Sequence, residues 1–245
     1  QLIGLIFPTV ANPFFGELVE QLESKLFDLG YRSILCDSAN NKEKERNYLN
    51  MLAANKVDGI IAGAHNLGIQ EYENIELPIV SFDRYLADGT PIVSSDNFRG
   101  GYLATENLYL KGARKIAILT GSEESNSPTN DRMNGYLKFM DEQQLEPQIF
   151  QFHSTARSTA LKNLEIKRIL QNEEIDSIFC TDDLTAVLAY NLCQELDIRI
   201  PEQLKIIGYD GTKFIQNYFP HLSTIAQPIT DIADILVDLL LQRIQ

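Results

Sequence analysis

The residues of this 245-residue chain that could do chemistry gather at the ends of apolar, strand-like runs. After LIGLIF at 2–7 come Asn12, Phe14 and Phe15, and after DGIIAG at 58–63 come His65 and Asn66. Asp96 and Asn97 follow PIVS at 91–94, and a polar loop after KIAILTG at 115–121 leads to Asp131 and Arg132. His153 follows QIFQF at 148–152, and Thr181, Asp182 and Asp183 follow DSIFC at 176–180. Asp210 and Gly211 close LKIIGYD at 204–210. In open α/β sheets, ligands bind beyond the carboxyl ends of the strands. Carboxylates, amides, one arginine and aromatic rings placed there suit a neutral sugar, whose hydroxyls donate to Asp, accept from Arg and Asn, and whose apolar ring face stacks on aromatic side chains. Each residue also has a plainer reading. Asp96 and Asp182 could be helix N-caps, Asp210-Gly211 a turn, Arg132 a surface helix residue, and Phe14 and Phe15 core.

Signatures of other chemistry are missing. There is no G-x-G-x-x-G after a strand, no phosphate-binding loop ending in Gly-Lys-Ser/Thr, no G-x-S-x-G and no H-E-x-x-H. His65, His153 and His221 have neither ligand spacing nor a linked Ser or Cys partner, and the side chains of the adjacent Asp182 and Asp183 diverge at a helix start. The sequence therefore predicts no enzyme, no metal and no cofactor. With 34 acidic against 21 basic residues the net charge is −13, so the surface should repel a phosphate backbone, and any nucleic-acid contact must come from another segment. Cys36, Cys180 and Cys193 are odd in number and lack metal or redox spacing; they read as buried thiols in a reducing, cytoplasmic setting. No window approaches the roughly 18 apolar residues of a membrane span, and no signal peptide opens the chain.

The elements that must position these residues alternate throughout. Strand-like runs at 2–7, 33–36, 58–63, 78–82 and 91–94 are separated by helical periodicity over 14–29, with Phe14, Leu18, Leu22, Leu26 and Leu29 on one face, and over 42–56, with Leu49, Leu52 and Ala53. Gly30 and Gly112 stop helices, the second over 98–111. Strands at 115–121, 148–152, 176–180 and 204–210 then alternate with helices over 130–143, 158–171 and 183–196. A final helix at 229–244 carries Ile232, Ile235, Leu236, Leu239 and Leu240 as its buried stripe. This order predicts an α/β protein of βαβ units with two parallel sheets of five or six strands and a seam near Gly112. The stripes at 44–56 and 229–244 are also candidate surfaces for a homodimer.

Several segments, in order and spacing, carry a resemblance: NPFFGEL at 12–18, VDGII at 57–61, PIVSFDR at 78–84, SDNFRGGYLATENL at 95–108, GARKIAILTG at 112–121, DRMNGY at 131–136, FCTDDLTA at 179–186, IPEQLKIIGYDGT at 200–212 and STIAQPI at 223–229. Along nearly its whole length the chain resembles the lac-repressor/galactose-repressor family of transcription regulators. The resemblance implies a periplasmic-binding-protein-like (type I) fold of two Rossmann-like lobes, 1–111 with 228–245 and 112–227, a ligand cleft and a side-by-side homodimer. It implies ligand contacts from Asn12, Phe14, Phe15, Asp96, Arg132, Phe152 or His153, Asp182, Asp210 and Gln227, with Arg132 as the main bidentate donor. Asp182 stands where many members have Asn, which removes a donor and adds charge. The family's DNA-binding headpiece is missing from this sequence, so operator DNA would be reached only through it. The stretch from Gly208 to Ile244 is similar to sucrose-operon repressors, which makes sucrose or another fructose-containing sugar the expected effector. A secreted sugar-binding protein feeding a transporter is the competing reading.

Overall fold

The computed structural model describes residues 1–63, 66, 68–122, 127–153 and 159–245, and of Ser122 and His153 the backbone alone. His65 and most of the polar loop after residue 121 lie outside the described residues. The chain forms two compact units, Gln1–Ser95 with Pro228–Gln245, and Asp96–Gln227. Each is built on a five-stranded parallel sheet, as the alternation predicts.

In the first unit, β1 (Leu2–Phe7), β2 (Arg32–Asp37), β3 (Gly59–Ala62), β4 (Ile79–Phe82) and β5 (Ile92–Val93) pair in the order β2-β1-β3-β4-β5. Parallel neighbours need crossover segments; α1 (Pro13–Asp28), α2 (Lys42–Ala54), α3 (Glu71–Asn74) and the final helix α9 (Ile229–Ile244) cover the sheet. Residues alternate between its faces with period two. Ile3, Leu5 and Phe7 meet Phe14, Leu18, Leu22 and Leu26 of α1 and Ile232, Leu236 and Leu240 of α9. Ile6, Ile60 and Ala62 meet Leu49 and Leu52 of α2 and Tyr72 of α3.

Three residues expected in these stripes are exposed: Leu29, which is the C-cap and lies past the last helical turn, Ala53, and Ile235, 48% exposed, which falls off the 229–233–236–240 track. Leu49 and Leu52 of α2 and Ile232, Leu236 and Leu240 of α9 pack into their own unit's core.

In the second unit, β6 (Ile116–Ser122), β7 (Gln148–His153), β8 (Ser177–Cys180), β9 (Lys205–Asp210) and β10 (Ser223–Ala226) pair in the order β10-β9-β8-β6-β7. Ala117, Leu119, Ile178 and Cys180 face α6 (Thr159–Asn172) and α7 (Asp183–Glu195). Ile116, Ile118, Phe179, Ile207 and Tyr209 face α4 (Asn97–Leu110) and α5 (Pro128–Glu142). A short α8 (Lys213–Tyr218) precedes β10.

The seam differs from the expected one. α4 belongs to the second unit, and Gly112, with φ of 93°, is only its helix stop. The cause is backbone-to-backbone packing of α4 on α5: a Cβ on Gly101 would land on the Arg132 carbonyl, and one on Gly135 on the Phe98 carbonyl. Tyr136 of α5 ties this pair to the sheet, donating to the Ile116 carbonyl (2.7 Å) and accepting from the Gln148 N–H (2.8 Å).

Cys36, Cys180 and Cys193 are free and buried, and burial raises all three thiols, Cys36 and Cys193 to about 11, which keeps them unreactive. Among the described residues no helix is long and apolar enough to cross a membrane.

Candidate functional site

The strand-end residues of the first unit have local duties. Asn12 caps α1, its Oδ1 accepting from the Phe14 N–H at 2.9 Å. Phe14 is core, with its ring centroid 5.7 Å from that of Phe82. Phe15 is half-buried and meets the Phe14 ring edge-on at 5.4 Å.

In the second unit the carboxyl ends of β6, β8, β9 and β10 surround a charged cluster. Arg132 enters from the first turns of α5, a helix started by Ser127, whose Oγ accepts from the Asn130 N–H (3.1 Å). It is 7% exposed, so it is no surface helix residue. Its Nε donates to Asn97 Oδ1 (2.9 Å) and its Nη1 to the Thr181 carbonyl (2.6 Å), while the guanidinium lies 3.8 Å from the centroid of the Tyr209 ring. Among the described residues Nη2 makes no hydrogen bond.

Asp210 ends β9 with φ of 120°, a conformation L side chains adopt rarely, and is 8% exposed, so it is no simple surface turn. Gln227 spans its two ends: its Nε2 donates to Oδ1 (2.8 Å) and its backbone N–H to the Asp210 carbonyl (2.9 Å). Burial pushes the Asp210 carboxyl up to about 7. The Arg132 Nη1 stands 3.9 Å from its Oδ1, too long for a tight ion pair, and does not offset that burial. The carboxyl groups of Asp182 and Asp183 raise it further. Asp183 is itself buried and pushed up to about 6, although it accepts from Thr224 Oγ1 (2.6 Å) and the Gly211 N–H (2.7 Å). Those bonds fasten α7 to β9 and β10.

Asp96 and Asp182 are N-caps. Asp96 Oδ1 accepts from the Arg99 N–H (2.8 Å); Asp182 accepts from the Thr185 N–H (2.7 Å) and hydroxyl (2.6 Å). The Thr185 hydroxyl also accepts from Lys162 Nζ (2.5 Å), so the carboxylate of Asp182 has an ammonium one side chain away. Lys162 also lies 5.4 Å from the centroid of the buried Phe152 ring. The His153 side chain is outside the described residues. Of the expected set, the structure brings Arg132, Asp210 and Gln227 together. It adds Asn97, Thr181, Tyr209 and Lys162. Asn97 and Thr181 were visible as strand-end residues, Tyr209 reads as core from within its strand, and Lys162 carries no sequence signal.

The model of the periplasmic binding protein-like domain matches residues 105–245. A sucrose operon repressor from Pediococcus pentosaceus is 53% identical over all of this chain and 75% of its own length, and one from Streptococcus mutans is 50% identical with the same coverage. A structure described as a periplasmic binding protein/LacI transcriptional regulator from Alkaliphilus metalliredigens, complexed with D-xylulofuranose, is 33% identical, covers 100% of this chain and 91% of that one, and superposes with a TM-score of 0.89. The chain belongs to the LacI family of transcriptional regulators. A LacI-family core accounts for the two five-stranded parallel sheets, and its relatives are operon repressors, neither enzymes nor secreted transporter components.

Proposed function

We propose that this LacI-family core senses sucrose or another sugar with a fructofuranose ring, held at the carboxyl end of the second unit's sheet by Arg132, Asp210 and Gln227. The observation that carries the site is a buried arginine with one arm uncommitted among the described residues, set over Tyr209 beside a buried carboxyl. Its chemistry suits adjacent hydroxyls: the guanidinium donates, Asp210 accepts, and Gln227 holds Asp210 in place. Asp96, Asp182 and Phe152 belong to the same reading, since a capping carboxylate keeps lone pairs that can accept from a hydroxyl. The resemblance adds Asn12, Phe14, Phe15 and His153 to the expected set, of which Asn12 and Phe14 already serve the first unit as cap and core. Sucrose is favoured because the two operon repressors named above carry it in their names, and a fructose ring because the solved relative holds a ketofuranose. The full-length cytoplasmic protein would act as a homodimer whose operator affinity changes with the sugar.

A thermal-shift screen against sucrose, fructose, glucose and ribose tests this, because a ligand that binds only the folded chain raises its stability. Sucrose or fructose should raise the midpoint in a saturable way, and a response to ribose alone would overturn the assignment.

A further inference from the structure

A polar groove lies at the other end of the second unit's sheet. β10 joins the sheet at the level of Ile207, where Ser223 pairs, whereas β9 already begins at Lys205. The notch beside the start of β9 is walled by the C-terminal end of α4, by α7 and by the segment around residues 200–201, and forms a groove of about 780 Å³. Asn107, Lys111, Tyr190, Lys205, His221 and Ser223 supply its polar lining. Among the described residues no carboxylate lines it, although the chain has 34 acidic residues against 21 basic ones.

None of these six side chains makes a hydrogen bond or ion pair among the described residues. Three lysines elsewhere are paired with carboxylates: Lys25 with Asp234, Lys115 with Glu174 and Lys138 with Glu142. On so acidic a surface, uncommitted cations at one groove form a local trap for negative charge.

We propose that this groove binds a small anion carrying a dianionic group of the phosphomonoester type, independently of the Arg132 cluster. Two ammonium groups and an imidazole act as point donors that can converge on tetrahedral phosphate oxygens, whereas a planar carboxylate is better met by a guanidinium fork, which the groove lacks. The Tyr190 and Ser223 hydroxyls and the Asn107 amide can bond the alcohol portion of such an ester. The volume lies within the range of small-molecule sites, roughly 300–1,000 Å³.

Calorimetry of the chain with inorganic phosphate, fructose 6-phosphate and citrate at constant ionic strength tests the assignment. The phosphate-bearing probes should bind at one saturable site. Lys111→Gln or Lys205→Gln should each weaken binding about tenfold and the double variant about a hundredfold, with the fold intact by circular dichroism. Arg132→Gln and excess sucrose should leave it unchanged. Absence of saturable binding, or equal affinity in the double variant, would overturn the site. Loss of binding in Arg132→Gln or with sucrose would move the anion to the sugar cluster and overturn it as well. Citrate binding as tightly as the phosphates would overturn the phosphomonoester class.

Discussion

The carboxyl ends of the two sheets offer similar residue types in sequence and use them differently. In the first unit Asn12 is a helix cap and Phe14 is core, so both return their cost as local stability. In the second unit Arg132 and Asp210 are ionisable groups held out of water, one with a nitrogen uncommitted among the described residues and the other with its carboxyl pushed up to about 7 on a strained backbone. Burying such groups opposes folding. A position after a strand nominates a residue; what separates function from architecture is whether the fold alone repays keeping it there.

Replacing the charged residue should break this contrast most sharply. Arg132→Ala should weaken sugar binding by about 2–4 kcal/mol, roughly 30- to 1000-fold, and Arg132→Lys should recover little of it, because an ammonium cannot span Asn97, Thr181 and the ligand together. Calorimetry with sucrose reads the loss directly.

The glycines give a second contrast. A Cβ on Gly101 would strike the Arg132 backbone carbonyl, whereas one on Gly4 would meet only the end of the Leu52 side chain. Gly101→Ala should therefore cost about 2–3 kcal/mol in chemical denaturation and weaken sugar binding by displacing Arg132, while Gly4→Ala should cost less and leave binding unchanged.

Asp210 and Asp183 titrate near 7 and 6 in the fold against an ordinary value of 3.8. Because these values are raised, their stabilising contribution is full below the ordinary value and is lost as pH rises through about 6 to 7. Unfolding free energy should fall on the order of 4 kcal/mol from about pH 5 to pH 8, most of it from Asp210, and Asp210→Asn should flatten that slope. The smallest effect belongs to the cap: Asn12→Ala should lower stability by about 1 kcal/mol, seen in the thermal midpoint, with no change in sugar affinity comparable to that of Arg132→Ala.

Much of the architecture was legible because period-two and period-3.6 patterns are long in this chain: β1, α1, β6 and α9 fall within two residues of their expected ranges. α3, α8 and β10, at four, six and four residues, are too short to set up a period. The seam was misplaced because a C-terminal helix glycine at 112 looks the same whether it ends a unit or only a helix, while the true boundary after Ser95 has no compositional mark. Ile235 is apolar and exposed because periodicity gives the direction of a stripe, not its width. For the site, residue type and strand-end position were enough to nominate Arg132 and Asp210. Their burial was not legible, since it depends on Asn97, Thr181, Tyr209 and Gln227 arriving from four separate elements or joins.

A crystal structure of the chain grown with sucrose tests the central claim most directly. The account predicts density for the sugar beyond β8 and β9, with Arg132 Nη2 and an Asp210 carboxyl oxygen each within about 3.2 Å of its hydroxyls. A bound sugar that leaves both groups untouched would contradict it.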